Sequence, residues 1–370
     1  MGIKNDKEFM KIIKLFLIVK ILIISVGVFS QAIPEEITNR QERAGFLINA
    51  WAQYDAAAYV DIAQNGYNKD FMGGRGNYAW YPLYPLLIRI FGFLGYWNAA
   101  FLISNAASLL AVAVLYFLIR EELSKAQAYR TFAYMMLFPT AYFFTAMYTE
   151  SLFLLLSAAS FYFAKREKWL SAGAAGFLLA LTRPQGMIIL FPLAYMCLKS
   201  RRPVVDIAYA FLPLLSAIFL LAYHYAATGD PLIQMSTQED FKRSLSFPWV
   251  PVFNSIGLLV QTPGLAGKFY HLFNLFTLAF FSAFLIKSYK MIGKEYFIYY
   301  LISLMVPLFT QRLEAITRFY LVVFPAFMAM SISAEDRRTG TALKALYFAF
   351  SILLVAFTIR HGNEDILIIK

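Results

Sequence analysis

One carboxylate and several arginines stand in apolar surroundings in this chain. Asp55 lies among tyrosine, tryptophan and alanine residues in the segment 44–67. A carboxylate beside apolar rings loses hydration and becomes a better proton acceptor, so Asp55 is a candidate general base. Glu150, Arg183 and Arg318 each stand between apolar runs. Because the guanidinium fork of arginine matches the oxygens of phosphate, this set is suited to chemistry on an anionic group.

Each of these residues also has a purely structural interpretation. Asp55 can be a solvated residue on a helix face, and Glu150 can pair with Arg183 or Arg318 to hold helices together. Arg89 lies in a short apolar segment, where its side chain can either snorkel to the membrane interface or face a polar cavity. The residue types alone leave both interpretations open.

Other catalytic signatures are missing from the sequence. The three histidines, His224, His271 and His361, are scattered, and Cys197 is the single cysteine. These residues do not have the close spacing that is typical of the ligands of a zinc site. The sequence contains no Gly-x-Ser-x-Gly elbow, no P-loop and no Gly-x-Gly-x-x-Gly motif. We expect no required cofactor, and the question of a divalent ion stays open.

The composition restricts the elements that position these residues. The chain has 370 residues, of which 60% are hydrophobic and 15% are charged, whereas a soluble domain carries about 25% charged residues. With 18% aromatic residues, the chain is also too apolar to be disordered. A polytopic membrane protein remains. The net charge of +11 is then explained by lysine and arginine in cytoplasmic loops rather than by nucleic-acid binding.

The pattern of apolar runs predicts an all-α membrane protein. A membrane-spanning helix needs about 20 mostly apolar residues. We predict about 11 transmembrane helices from the runs near 11–30, 97–119, 131–147, 151–164, 170–182, 186–199, 204–226, 269–286, 296–310, 318–334 and 343–360. With the N-terminus inside, the short loops on that side hold 19 of the 33 lysine and arginine residues, as the positive-inside rule requires.

This topology gives a single integral-membrane domain over 1–370 with two large outside loops, 31–96 and 227–268. Elaborated loops on one face suggest that function resides there. Within the first loop, apolar residues recur at three- and four-residue steps along 44–67, which predicts an amphipathic helix. The helix is too polar to span, so we expect it to lie in the membrane interface and to carry Asp55.

Five sequence blocks, in order, resemble those of one family. They are Tyr54-Asp55-Ala56 with Tyr59, Asp61-Ile62-Ala63 and Asn65-Gly66-Tyr67; Tyr81-Pro-Leu-Tyr-Pro; Leu137-Phe-Pro-Thr-Ala with Tyr148-Thr-Glu-Ser-Leu-Phe; Leu181-Thr-Arg-Pro; and Arg318-Phe-Tyr with Phe324-Pro325. In this respect the chain is similar to the PIG-V-like (GPI mannosyltransferase 2-like) family of GT-C glycosyltransferases. Two positions depart from the family pattern: Tyr54 replaces a tryptophan and Ala58 an aromatic residue. These departures bear on the acceptor and the sugar more than on the reaction class.

The resemblance implies a multi-pass hexosyltransferase acting at the extracytoplasmic face of a prokaryotic cell membrane, or of the ER membrane in a eukaryote. It implies inverting transfer of mannose from a polyprenyl- or dolichyl-phosphate mannose donor to a glycan or lipid-linked acceptor, with membrane lipids but no nucleic acid as partners. Asp55 would be the catalytic base. The residues expected to bind substrate are Tyr54, Tyr59, Asp61, Arg89, Tyr148, Glu150, Arg183 and Arg318.

Three other interpretations remain. The chain can be a GT-C transferase for another lipid-linked sugar, or, in a different class, a polytopic transporter or lipid flippase. A transporter predicts similar halves and paired broken helices, and the sequence has no internal repeat, with its ionisable residues clustered toward one face. A non-catalytic scaffold subunit would tolerate replacement of Asp55.

Overall fold

The structure, a computed structural model, describes residues 6–33, 41–240 and 244–363. Parts of both predicted outside loops, 34–40 and 241–243, lie outside the described residues. Within the described ranges the fold is all-helical, as predicted, and pairing between extended segments is limited to one isolated antiparallel bridge between Leu245 and Thr310.

The α-helices follow one another along the described residues, many of them separated by short turns. In order they are α1 Lys7–Ser30, α2 Ala56–Asn65, α3 Phe71–Gly74, α4 Leu83–Ile90, α5 Tyr96–Ile119, α6 Lys125–Met136, α7 Glu150–Lys165, α8 Trp169–Ala180, α9 Leu190–Lys199, α10 Val204–Ala210, α11 Pro213–Thr228, α12 Ile233–Asp240, α13 Val250–Gln261, α14 Leu265–Ser288, α15 Lys294–Met305, α16 Ile316–Leu321, α17 Phe324–Ser333 and α18 Arg337–Gly362. Short 3-10 turns cover Asn49–Trp51, Gly92–Leu94, Ala141–Phe144, Pro184–Ile189 and Val306–Phe309.

Four of the described helices are long and apolar enough to cross a membrane: α1, α5, α14 and α18. The helices α10 and α11 form a fifth candidate span if the pair, bent by 51°, is counted as one. Other predicted runs form helices too short to span. The run 131–147, for example, is helical only to Met136 and then turns. Membrane-spanning character is therefore supported, and the count of eleven stays a prediction.

The predicted helix over 44–67 is much shorter in the structure. Only Ala56–Asn65 is α-helical, because Tyr54 has a φ of 53°, a conformation that interrupts a right-handed helix. Gly66 ends the helix with a φ of 78°, a conformation that glycine adopts readily because it has no Cβ. Most of α2 is buried against the bundle, and its position at a membrane interface stays a prediction.

The second predicted outside loop is likewise not irregular throughout. It contains α12 and the apolar helix α13. Ser246, just past the undescribed gap, donates its backbone N–H to the carbonyl of Phe309 and its hydroxyl to that of Thr310. The loop is therefore tied to the segment that leads into α16.

The segment before α2 is held against the ends of two long helices. A side-chain carbon added at Gly27 of α1 would lie 2.3 Å from the ring of Trp51, so only glycine allows this approach. The amide of Gln31 donates to the carbonyl of Gly362, at the end of α18. Trp51 in turn accepts a hydrogen bond at its carbonyl from the backbone N–H of Met147. These contacts bring residues 49–55 next to the turn before α7.

Candidate functional site

Four charged side chains form one connected cluster. Arg318 Nη1 donates to Asp55 Oδ2 at 2.9 Å. Arg318 Nε lies 3.1 Å from Glu150 Oε1, and Arg183 Nη2 lies 2.9 Å from the same oxygen. The structure thus brings together the four residues that the sequence marked as candidates, in the order Asp55, Arg318, Glu150, Arg183.

Three members of the cluster lie where an element begins, and the fourth lies on a very short helix. Asp55 is the residue before α2, and Glu150 is the first residue of α7. Arg183 is extended, with φ −169° and ψ 162°, because the following Pro184 disfavours the helical conformation. Arg318 lies on the short helix α16, which starts after Ala315 in a left-handed conformation. The turns and helix starts at these four places therefore direct the four side chains toward one another.

The exposure of the side chains differs strongly within the cluster and is highest at Asp55. Asp55 keeps 30% of its side-chain surface exposed, Arg318 13%, Arg183 9% and Glu150 none. Asp55 is therefore the carboxylate that a substrate can reach. Glu150 is fully enclosed, which makes it a charge partner for the two arginines rather than a group that meets an acceptor.

The enclosed part of the cluster has unused hydrogen-bonding capacity. Arg183 donates through Nε and Nη2 to the hydroxyl of Thr149, but its Nη1 is buried without a hydrogen-bond partner. Glu150 Oε2 is also buried without one. A buried polar atom without a partner costs about 1–3 kcal/mol. The site therefore keeps at least one guanidinium donor available for a further acceptor.

Aromatic rings surround the arginines. The guanidinium of Arg318 lies 5.2 Å from the ring centre of Tyr148 and 5.3 Å from that of Phe143. Arg183 lies 5.2 Å from the ring of Phe153. Cations over aromatic faces are stabilised, most strongly when water is excluded. The rings therefore hold the two guanidinium groups in place while limiting access of water.

Tyr148 and Tyr59 lie beside Asp55. The backbone N–H of Asp55 donates to the Tyr148 hydroxyl, which itself donates to the carbonyl of Gln53, both at 3.2 Å. Burial raises the pKa of Tyr148 well above its usual value. Burial, and to a lesser extent the Asp55 carboxylate, raises the pKa of Tyr59 to about 12. Both phenols stay protonated at neutral pH, so they can donate hydrogen bonds and do not compete with Asp55 as bases.

Tyr54 and a residue not singled out by the sequence complete the surroundings. The ring of Tyr54, 41% exposed, lies 5.2 Å from that of His361. His361 is buried and also contacts Tyr142, Phe143 and Tyr148, while its Nε2 has no hydrogen-bond partner. The sequence offered one signal for it, a histidine at the end of a long apolar run.

Asp61 and Arg89 are not part of this cluster. Asp61 accepts hydrogen bonds from the side-chain amides of Asn65, Asn68 and Asn77, and so organises the glycine-containing loop after α2. Arg89 is exposed in the last turn of α4 and makes no ion pair within the described part of the chain. The structure thus gives these two predicted substrate-binding residues no contact with Asp55.

In the residues that the structure describes, no group of three or more histidine, cysteine, aspartate or glutamate side chains could hold a metal ion. No protein-family model matches the chain, and no curated protein sequence matches it. Fold and site together define a helical protein with helices long enough to cross a membrane and a partly buried acid–arginine cluster at their ends.

Proposed function

We propose that the chain is an inverting glycosyltransferase that uses a polyprenyl-phosphate sugar, with mannose as the first sugar to test. The observation that carries the proposal is the Asp55–Arg318 pair, in which a reachable carboxylate lies 2.9 Å from a nearly buried guanidinium. Sugar transfer from a lipid phosphate needs a base for the incoming hydroxyl and a cation for the departing phosphate. The resemblance to PIG-V-like enzymes supports the same assignment.

The reaction is a single displacement at the anomeric carbon. Asp55 takes the proton of an acceptor hydroxyl while its oxygen bonds to the anomeric carbon from the face opposite the phosphate. The bond from that carbon to the phosphate oxygen breaks, and its electrons stay on the lipid phosphate. The anomeric configuration inverts through a transition state of oxocarbenium character. No acid is needed, because the phosphate leaves as a stable anion.

The ion pairs couple the two halves of this step. When Asp55 gains a proton, it loses its charge and its hold on Arg318 weakens. The Arg318 guanidinium then becomes available at the moment when negative charge develops on the leaving phosphate, which is where electrostatic stabilisation accelerates a reaction. The free Nη1 of Arg183 is a second donor. Glu150 contacts both guanidinium groups and holds them in place.

A lipid-linked donor agrees with the long apolar helices. The tail of such a donor stays in the bilayer while its headgroup reaches loops at the helix ends. We assign the site to the extracytoplasmic side of a multi-pass protein, on the basis of the predicted positive-inside topology. The acceptor is a glycan or a lipid-linked glycan.

One observation favours the alternative of a transporter or flippase. Lys20 is a buried ammonium within the candidate span α1, and ionisable groups at membrane depth often mark transport pathways. In the transferase interpretation Lys20 instead anchors the turn before Glu150 through the Phe144 carbonyl and Thr145 hydroxyl. The two classes differ in whether the protein makes a covalent product.

The decisive experiment is sugar transfer by the purified protein in nanodiscs. Polyprenyl-phosphate mannose and polyprenyl-phosphate glucose are supplied separately, with a membrane extract as the source of acceptor. We expect transfer from the mannose donor by the wild type and none by Asp55→Asn. Transfer from glucose alone would keep the class and change the sugar. Movement of labelled donor lipid across the bilayer, without any covalent product, would replace the proposal by the transporter.

A further inference from the structure

A second feature lies at the other end of α1, away from the acid–arginine cluster. A groove of about 550 Å³ opens between α1 and α6, a volume within the range of about 300–1,000 Å³ that is usual for ligand sites. Lys14, in this groove, is thirteen residues from Gly27, which is about 20 Å along the helix. Since Gly27 contacts Trp51 beside the cluster, the groove is separate from it.

The groove combines cations with apolar walls. Lys11 and Lys14 of α1 and Arg130 of α6 line it, together with the apolar Leu15 and Ile18. One carboxylate, that of Glu8, also lines it and pairs with Lys11 at 3.3 Å. Three cations against one carboxylate leave a net positive lining. The groove therefore suits a ligand with both a negative charge and an apolar part.

The cations are incompletely neutralised. Lys14 is exposed and has no ion pair within the described residues. Arg130 lies 3.5 Å from Glu335 through Nη2, but its Nε is buried without a hydrogen-bond partner. An ammonium and a guanidinium with free donors are the groups that bind phosphate oxygens.

The surface of α1 continues the groove in the direction of the membrane. Beyond Lys14 the same face presents Ile18, Ile21 and Leu22, which are 66%, 64% and 44% exposed. Their spacing of three and four residues places them in one stripe along the helix. A charged end followed by an apolar stripe on a candidate membrane span complements the two parts of an anionic lipid, its headgroup and its acyl chain. Tyr129, which also lines the groove, is of the residue type enriched at headgroup depth.

We propose that this groove binds one anionic phospholipid, with its phosphodiester against Lys11, Lys14 and Arg130 and an acyl chain along Ile18 and Ile21. In the predicted orientation the groove faces the cytoplasmic leaflet, whose anionic lipids attract basic segments beside membrane spans. The site is independent of the proposed transferase activity. Its chemistry distinguishes lipids by headgroup charge.

The test is lipid binding measured by native mass spectrometry of the detergent-purified full chain. Dioleoyl phosphatidylglycerol is the probe, and dioleoyl phosphatidylcholine is the zwitterionic comparison. We expect one tightly bound phosphatidylglycerol, which Lys11→Gln/Lys14→Gln weakens by about tenfold or more. Lys290→Gln/Lys344→Gln is the matched control, because it removes two exposed lysines that do not line the groove. This control should leave binding unchanged.

Three outcomes would overturn the proposal. Equal loss of affinity in both double variants would show attraction to the charged surface as a whole. Equal binding of phosphatidylcholine would show that the cations do not take part. Displacement of the lipid by millimolar glycerol 3-phosphate would show that the apolar stripe does not contribute. Unchanged elution on size exclusion verifies that each variant is folded. A Lys14→Arg variant, which keeps the positive charge, should retain most of the lipid affinity that a Lys14→Gln variant loses.

Discussion

The guanidinium of Arg318 and the carboxylate of Asp55 are joined at 2.9 Å although they are 263 positions apart in the chain. Neither residue lies inside a long helix: Asp55 directly precedes α2, and Arg318 lies in the short helix α16. The contact therefore depends on the packing of the whole bundle. Because Arg318 also contacts Glu150, a change of charge at Asp55 alters the balance of the entire cluster.

Asp55→Asn tests the proposed base. The amide cannot accept the acceptor's proton, so we expect transfer to fall by about 10²–10⁴-fold. Asp70→Asn is the matched control, because it removes an exposed carboxylate from the same predicted outside loop, 31–96. The Asp70 side chain makes no capping hydrogen bond to the helix that follows it. The measurement is the initial rate of sugar transfer in nanodiscs. A rate near that of the wild type in Asp55→Asn, with Asp70→Asn also normal, would refute the assignment.

The two arginines should differ in their effect on the donor. Arg318→Lys keeps the charge but loses the fork that contacts two carboxylates at once, so we expect kcat to fall by at least tenfold. Arg183→Lys loses the free Nη1 and should raise the KM for the lipid donor more than it lowers kcat. Steady-state kinetics against donor concentration separates the two effects. Equal effects of both variants on KM alone would argue against a role of Arg318 in the transition state.

Glu150→Gln should act mainly on stability. Glu150 is fully buried and contacts two guanidinium groups through one oxygen. Removing one partner of a buried ion pair typically costs about 3–5 kcal/mol, because the remaining charges are left without compensation. We expect a clear fall in the thermal unfolding midpoint in detergent. Added phosphate should recover part of the loss in Glu150→Gln and not in the wild type, if the freed arginines bind anions.

A Glu167→Gln variant serves as the comparison for that experiment. Its carboxylate is 64% exposed and pairs with Arg202 at 2.7 Å. Exposed pairs contribute about 0–1 kcal/mol, so this variant should unfold close to the wild-type temperature. Similar unfolding temperatures for Glu150→Gln and Glu167→Gln would show that burial does not determine how much stability is lost when the carboxylate is removed.

The sequence identified the members of the cluster better than it predicted the helices that carry them. Charged residues inside apolar runs are costly, and so they attract attention in any apolar chain; this identified Glu150, Arg183 and Arg318. Helix lengths were harder to predict, because apolar runs do not reveal where the backbone turns. The break at Tyr54 depends on a positive φ at a tyrosine, for which no residue pattern is diagnostic.

Asp61, Arg89 and His361 show what spacing leaves undetermined. Asp61 lies six residues from Asp55 on the same segment, yet it accepts hydrogen bonds from Asn65 of its own helix and from Asn68 and Asn77 of the next loop. Arg89 is in an apolar segment but reaches the surface. His361 comes from the far end of the chain and packs beside Tyr54. Such contacts arise only when helix ends meet in three dimensions, which a linear pattern does not encode.

Lys20 gives the last prediction, which concerns how the site is positioned. Its ammonium donates to Asn105 Oδ1 at 2.9 Å, to Thr145 Oγ1 at 3.0 Å and to the Phe144 carbonyl. The acceptors on residues 144 and 145 belong to the turn that leads to Tyr148 and Glu150. We therefore expect Lys20→Met to lower both the unfolding midpoint and the transfer rate, because hydrogen bonds to a charged group are worth about 1.5–3 kcal/mol each.

A double-mutant cycle between Lys20→Met and Thr145→Val isolates this contact. Residues that share a hydrogen bond are coupled by about 0.5–3 kcal/mol, whereas independent sites add. Thr131→Val is the matched control, since Thr131 is buried and its hydroxyl donates to the Gln127 carbonyl. Lys20→Met should combine additively with Thr131→Val and less than additively with Thr145→Val. If both cycles are additive and Lys20→Met transfers sugar at the normal rate, Lys20 does not position the turn. If Lys20→Met then abolishes lipid transport, the transporter interpretation is favoured.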